Sequence, residues 1–352
     1  MLESKTIGIQ YISSWHSFCI NGLLQTPEGK FNKVGNKNKN GLWLATAVGV
    51  GAVTAYGILR RAHPKYDFQN KVVLITGGSR GLGLVLARSL AAEGARLAIC
   101  ARDDEELKRA KEDLQSHGAE VLETVCDVRN QSEVNSAVDA VCNHYGQIDV
   151  LINNAGVIQV APLENQTQKD FEDAMAIHFW GAFYMTQAVL PEMKRRGDGR
   201  IVNISSIGGK IPVPHLAPYC ASKFALVGLS GAMRAELVKD NIYVTTVCPG
   251  LMRTGSPVNA IFKGQNEKEY AWFSICDSLP FTSVSAENAA EQIINACRRG
   301  DAELVISPQA KLAAKIGALF PELTADALAI ANKFLPSAGG IGEKHALGKD
   351  ST

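Results

Sequence analysis

The chain has 352 residues, 46% of them hydrophobic and 20% charged, so it carries enough apolar material for a sizeable core and is not disordered throughout. Its 36 lysines and arginines against 35 acids leave a formal net charge of +1. That balance gives no long-range positive field for gripping a phosphate backbone, and nucleic acid is not expected as a partner.

Residues 1–40 lack helical or strand periodicity and end in the lysine- and asparagine-rich run Lys33 to Asn40, which reads as a flexible head. Gly41 to Leu59 follows, 19 residues without a charge, bounded by Lys37 and Lys39 before and Arg60 and Arg61 after. A helix of that length spans about 28 Å, roughly one hydrocarbon core, so a transmembrane anchor is expected. A buried core helix and a cleaved targeting segment are the alternatives. Ala47, Gly51 and Ala55 share one helical face and form a small-residue seam that could pair two anchors. The expectation is a single-pass membrane protein with its main domain facing the cytosol, although positive charge on both flanks leaves the positive-inside rule undecided.

From Lys71 to about Ser307, short apolar runs alternate with longer amphipathic stretches, the signature of repeated βα units. The runs Val72–Thr76, Arg96–Ala101, Glu120–Cys126, Val150–Asn153, Arg200–Ser205, Tyr243–Cys248 and Glu303–Ile306 predict a seven-stranded parallel sheet. The fold class is therefore α/β, a Rossmann-type doubly wound sheet with helices on both faces, over residues 68–307. Residues 308–352 are expected to be a separate extension. Within it, Lys311 to Leu335, interrupted by Pro321, predicts one or two amphipathic helices, packed on the domain or lying on a membrane surface. The glycine- and lysine-rich tail beyond Pro336 is expected to be disordered. The eight cysteines show no CxxC pair and read as reduced packing residues, and no metal site is expected.

The first strand runs into TGGSRGLG, Thr76 to Gly83, and then into a helical pattern. Gly77, Gly81 and Gly83 allow a tight turn and a close approach to a pyrophosphate, whose charge would sit at the helix N-terminus, so the whole loop including Ser79, Arg80 and Leu82 is a candidate cofactor cradle. Further along come CDV at Cys126–Val128, NNAG at Asn153–Gly156, ISS at Ile204–Ser206, YCASK at Tyr219–Lys223, and PG at Pro249–Gly250. In these motifs and their order the chain resembles the short-chain dehydrogenase/reductase family over about residues 70–306. The resemblance implies that Asp127 and Val128 hold the adenine and that Asn154, Ala155 and Gly156 line the ribose side. It further implies that Pro249 and Gly250 belong to the cofactor wall, that Thr254 meets the nicotinamide carboxamide, and that Lys223 binds the nicotinamide ribose. It also implies a dimer or tetramer.

Positions i and i+4 share a helical face, so Tyr219 and Lys223 come to one site and can act as a single acid/base unit. An ammonium beside a phenol favours the phenolate, which would lower the tyrosine toward working pH. Ser206 stands 13 residues before Tyr219, at the end of a strand, and is expected to hydrogen-bond the substrate oxygen in preference to Ser205. The second strand ends in Arg102 rather than an acid, and with Arg80 it points to the 2′-phosphate of NADP(H). Pairing of these arginines with Asp103 and Asp104 is the alternative. His178 occupies the place where the family usually has an asparagine that anchors a relay water. Its imidazole could hold that water, or it could be a packing residue beside Phe179 and Trp180. The segment Gly255 to Ser283 concentrates Ala260, Ile261, Phe262, Tyr270, Trp272, Phe273 and Phe281, which reads as a lid over an apolar small-molecule substrate, as core packing, or as a subunit contact. The expected function is hydride transfer between NADP(H) and a carbonyl or secondary alcohol. NAD(H)-linked alcohol oxidation and a non-catalytic dinucleotide sensor or scaffold are the alternatives.

Overall fold

The computed structural model describes residues 66–278 and 283–351. The expected head, the expected anchor at Gly41–Leu59, and Phe281 lie outside the described residues. Among those described, no helix is long and apolar enough to cross a membrane.

The domain opens with β1 (Val72–Thr76), α1 (Gly81–Ala92), β2 (Arg96–Ala101), α2 (Asp104–Ser116), β3 (Val121–Val125), α3 (Gln131–Tyr145) and β4 (Val150–Asn153). After β5 (Gln159–Val160) comes a long helical stretch made of α4 (Gln168–Met175), a π-helical turn at Ala176–Trp180, and α5 (Gly181–Arg196). Then follow β6 (Gly199–Ile204), α6 (Ala217–Leu237), β7 (Ile242–Pro249), β8 (Leu251–Arg253), α7 (Ser256–Asn259), β9 (Ile261–Phe262) and α8 (Asn266–Ser278). The chain continues through β10 (Ser283–Ser285), α9 (Ala286–Arg299), β11 (Glu303–Ile306), α10 (Pro308–Leu319), α11 (Pro321–Asn332) and β12 (Ala346–Leu347).

The main sheet has seven strands in the order β3-β2-β1-β4-β6-β7-β11, all parallel. Every residue of β1 is buried, as a central parallel strand covered on both faces requires. Alternation along the strands sends Val73, Ile75, Leu97 and Ile99 to one face, against Leu86 and Leu90 of α1 and Ile293 of α9. Val72, Leu74, Ala98 and Leu151 go to the other, against Val134 and Val141 of α3 and Met185, Val189 and Met193 of α5. The strand order reverses between β1 and β4, and the crevice at such a switch point is where open sheets of this kind bind ligands.

The C-terminal extension forms two helices broken at Phe320–Pro321, and α11 buries none of its residues. The tail differs from the sequence expectation: it is ordered. Ala346 and Leu347 pair antiparallel with Phe262 and Ile261, closing a three-stranded sheet β12-β9-β5. Its glycines serve this docking, since Gly340 (φ 58°) lies so close to Gly264 that a Cβ there would stand 2.1 Å from the Gly264 carbonyl oxygen. Low hydrophobicity suggested disorder, but backbone pairing supplies the contacts that side chains do not.

Candidate active site

At the end of β1, Gly77 turns with φ 64° and leads to α1, which starts pressed against the strand. A Cβ on Gly83 would lie 2.1 Å from the Gly77 carbonyl oxygen and 2.6 Å from Asn154 Nδ2. Only glycine permits that approach. Arg80 stands at the N-cap of α1 without a side-chain capping bond, and the first turn carries no acid. The leading amides of α1, with Leu82 turning its side chain into the core, thus form a site suited to an anion, which fits a dinucleotide pyrophosphate. Thr76 Oγ1 accepts from the amides of Asn154 and Ala155, both at 3.0 Å, and Asn154 Nδ2 donates to the carbonyls of Thr76 (3.0 Å) and Gly77 (3.1 Å). The NNAG segment is thereby bolted to the glycine loop.

Within the glycine loop, Arg80 Nη1 donates to Glu106 Oε1 at 2.8 Å and to Asn259 Oδ1 at 2.9 Å, while Ser79 Oγ donates to Glu106 Oε2 at 3.1 Å. The sequence suggested Asp103 and Asp104 as partners for Arg80. Asp103 instead caps α2 by accepting from the Glu106 amide, and Asp104 pairs with Lys108. Arg102 is exposed. Burial raises Asp127, but hydrogen bonds from the Arg129 side chain and backbone, helped by the charges of Arg129 and Arg102, hold its carboxyl below the usual range. Val128 is buried against Gly181, where a Cβ would come within 2.8 Å of Val128 Cγ2. Thr254 reaches the opposite side of the glycine loop, its carbonyl 3.9 Å from where a Gly81 Cβ would stand. Gly250 follows Pro249 under β11, donating its amide to Ile306 O at 3.3 Å.

Beyond β6 the two serines part. Ser205 Oγ is buried and donates to the Lys223 carbonyl at 3.0 Å, whereas Ser206 Oγ accepts from the Gly208 amide at 3.1 Å and lies beside the Tyr219 phenol, where it favours the ionised form. Ser206, Tyr219 and Lys223 therefore form one constellation. Lys223 Nζ donates to Ile204 O at 2.9 Å and sits 5.6 Å from the Tyr219 ring centroid. Tyr219 keeps part of its surface accessible, yet burial pushes its phenol up to about 12, opposed by the Ser206 hydroxyl. Burial likewise brings Lys223 down to about 7. This differs from the sequence expectation of a lowered phenol. The ammonium that was to favour the phenolate is itself stripped of water, so it lends the phenol little charge, and Tyr219 stands protonated.

For His178, left open between relay and packing, the structure gives protein partners on both ring nitrogens. The Val157 amide donates to its Nε2 at 3.1 Å, which places the proton on Nδ1, and Nδ1 donates to Ser222 Oγ at 2.7 Å. Ser222 in turn donates to the Tyr219 carbonyl at 2.8 Å. Both ring nitrogens are spent on protein partners, so the imidazole has none left for a relay water. Burial, with the charge of Lys223 adding to it, keeps the ring well below its ordinary 6.5 and hence neutral. Its edge packs against the Tyr219 ring at a centroid distance of 5.4 Å.

The aromatic segment builds a core of its own. Ala260, Phe262 and Phe273 are buried with Val160, Leu216 and Cys220, and Tyr219, Tyr270 and Trp272 pack on them. A buried carboxylate, Glu269, accepts from His215 Nδ1 at 2.8 Å and Trp272 Nε1 at 2.7 Å, tying α8 to the loop before Tyr219. Sequence reasoning missed Ser222, Glu106, Asn259 and Glu269. Only Ser222 had a signal, since it lies inside YCASK one turn from Tyr219.

Residues 71–261 match the short chain dehydrogenase family model. The chain is 33% identical over 264 residues to dehydrogenase/reductase SDR family member 7B of Danio rerio, covering 73% of this chain and 84% of that protein. Among solved structures it is similar to a variant of actinorhodin polyketide ketoreductase with NADPH, at 34% identity and a TM-score of 0.60, covering 67% of this chain and 95% of that one. It is also similar to L-sorbose reductase from Gluconobacter frateurii complexed with NADPH and L-sorbose, at 27% identity and a TM-score of 0.62, covering 69% and 97%. With more than half its length matched and the motif residues gathered at one sheet edge, the chain belongs to the short-chain dehydrogenase family.

Proposed function

We propose that the protein transfers a hydride between NADP(H) and a carbonyl compound or secondary alcohol whose body is apolar. The observation that carries this reading is the grouping of Ser206 and Tyr219 with Lys223, whose Nζ lies 5.6 Å from the Tyr219 ring centroid, in a chain whose α1 starts uncapped. The NADPH-bound ketoreductase and sorbose reductase support the cofactor, as do Arg80 and Arg102 and the absence of an acid at the end of β2.

In this reading Thr76, Gly77, Ser79, Gly81, Leu82 and Gly83 hold the pyrophosphate, Arg80 and Arg102 the 2′-phosphate, and Asp127 and Val128 the adenine. Asn154, Ala155, Gly156 and Lys223 face the ribose, and Pro249, Gly250 and Thr254 the nicotinamide. Held by these residues, a reduced nicotinamide would supply the hydride, with its electron pair, for the carbonyl carbon. Ser206 hydrogen-bonds the carbonyl oxygen, and Tyr219 gives that oxygen its proton. The phenolate left behind is reprotonated through Lys223, whose amine at about 7 exchanges protons readily at neutral pH. In the oxidative direction each transfer reverses. The apolar cluster on which Tyr219 packs together with Ile158, Val213, Tyr270 and Trp272 supports an apolar substrate body.

The anchor at Gly41–Leu59 and a cytosol-facing domain belong to the same proposal and are supported by the length of that uncharged run alone. Exposed Trp180 and Phe224, on the helical stretch after NNAG and on α6, support a homo-oligomer. The test is a purified protein given NADPH and a panel of carbonyl compounds, followed by loss of reduced nicotinamide absorbance. Tyr219→Phe should bind NADPH as before and turn over about 100- to 10,000-fold more slowly. NADPH binding without consumption by any carbonyl would point to a sensor instead.

A further inference from the structure

The short helix α7 touches two parts of the chain that are remote from each other in sequence. At its end, Asn259 Oδ1 accepts from Arg80 Nη1, the same nitrogen that donates to Glu106. These two bonds use one edge of the guanidinium and leave Nη2 and Nε outside them. On its other side α7 meets the C-terminal tail. The Gly348 amide donates to Ala260 O at 2.9 Å, and a Cβ on Gly348 would stand 1.9 Å from the Pro257 carbonyl oxygen. Immediately beyond, β12 pairs with β9, Gln265 Nε2 donates to Ser337 O at 2.8 Å, and Asn266 Nδ2 donates to Ser351 Oγ at 3.1 Å.

We propose that Asn259 is a positioning residue for cofactor selection: it holds Arg80 so that the free edge of the guanidinium meets the 2′-phosphate, and the tail holds Asn259. This rests on the NADP(H) reading above. An arginine side chain carries about 2 kcal/mol of rotamer entropy, and fixing it beforehand removes part of that loss from the binding step. Glu106 alone would orient the guanidinium through a single anion that also draws its charge away from a phosphate. Asn259 supplies a second fixed point with no negative charge. A carboxylate at 259 would compete with the phosphate, so an amide is the suitable chemistry there. The substrate segment thereby takes part in choosing the cofactor through a residue that need not touch it.

The experiment is titration of the purified full chain with NADPH and with NADH, reading both dissociation constants by nicotinamide fluorescence. Asn259→Ala should weaken NADPH about 3- to 10-fold and leave NADH unchanged, the size expected for one hydrogen bond. Asn259→Asp should weaken NADPH further. Gly348→Ala, remote from the cofactor, should lower the NADPH preference in the same direction by lifting the tail off α7. Asn259 is exposed, and the ratio of two constants does not depend on the fraction folded, so a merely structural role would leave the ratio alone. Equal losses for both cofactors, or none, in Asn259→Ala would overturn the proposal while a wild-type preference for NADPH kept the cofactor reading intact. A wild-type protein that binds NADH as tightly as NADPH would sink both. A normal ratio in Gly348→Ala beside a lowered one in Asn259→Ala would overturn the part assigned to the tail.

Discussion

The two walls of the cleft are built from different materials. The cofactor wall is backbone: amides at the start of α1, the Gly77 carbonyl against Gly83, and main-chain groups of the NNAG segment held by Thr76. The wall that the proposed reading gives to the substrate is side chains: it rests on Phe262, Phe273 and Leu216 packed into a small core, with the tail paired to β9. A backbone wall has close to one solution, because an added methyl has nowhere to go. A side-chain wall can repack, which is why one fold can keep its cofactor while changing its substrate.

The sharpest way to break the comparison is Gly83→Ala. Its Cβ would meet backbone at 2.1 Å, so α1 must move off the strand, and NADPH affinity should fall about 10- to 100-fold. Wild-type affinity in that variant would show the backbone wall to be as yielding as the other. Next comes His178→Ala, which leaves the Val157 amide and the Ser222 hydroxyl short of a partner. Turnover should drop about 10- to 100-fold with NADPH affinity kept, and His178→Asn should recover part of it by accepting from Val157. Because the imidazole is neutral well above its own titration, the pH profile of kcat/KM should keep its inflection near 7, where Lys223 titrates, in both wild type and His178→Asn. A shoulder lost only in the asparagine variant would restore the relay role.

A smaller effect, on stability, is expected from Lys223→Met, which should also stop turnover: stability at neutral pH should rise by about 1–3 kcal/mol, since burying an ammonium with only the Ile204 carbonyl as partner opposes folding. The sign follows from its folded value of about 7 against an ordinary 10.5. The unfolded chain binds more protons between those values, so wild-type stability should rise with pH across that window, and the methionine variant should lose this slope. Thermal melts across that range would check it. The smallest effect belongs to the side-chain wall: Phe262→Leu should cost about 1 kcal/mol of stability and leave NADPH binding unaltered, as calorimetry and titration would show.

The same division decides what could be read in the sequence. β1, β2 and β4 fall where the apolar runs place them, because buried parallel strands are continuous runs of apolar residues, and the edge strand β11 falls at its expected span as well. The glycine loop was legible because its residues are neighbours in the chain and its glycines have a steric reason. β5, β9 and β12 were not, since two-residue strands carry no periodicity and owe their existence to partners about 100 positions away, as the pairing of Gln159 with Ile261 shows. Arg80 was a visible candidate, but its partners Glu106 and Asn259 depend on how α2 and α7 fold over it. For His178, composition offered a choice between relay and packing. Its actual bonds tie the NNAG loop to α6, a role that only the crossing of those elements could reveal.

The wide turn at Ala176–Trp180 sets the angular phase of everything after it. Each helical residue advances the direction of its side chain by about 100°, and one extra residue in a turn is absorbed there and nowhere else. With that extra residue in place, His178 faces Ser222 while Met185, Val189 and Met193 still face the sheet. Deleting one residue from the turn would rotate the rest of α5 by about 100° and swing those three side chains out of the core. The position can therefore be substituted but not shortened: the site and the core read the same helix in two different registers, and the turn is where the two are reconciled.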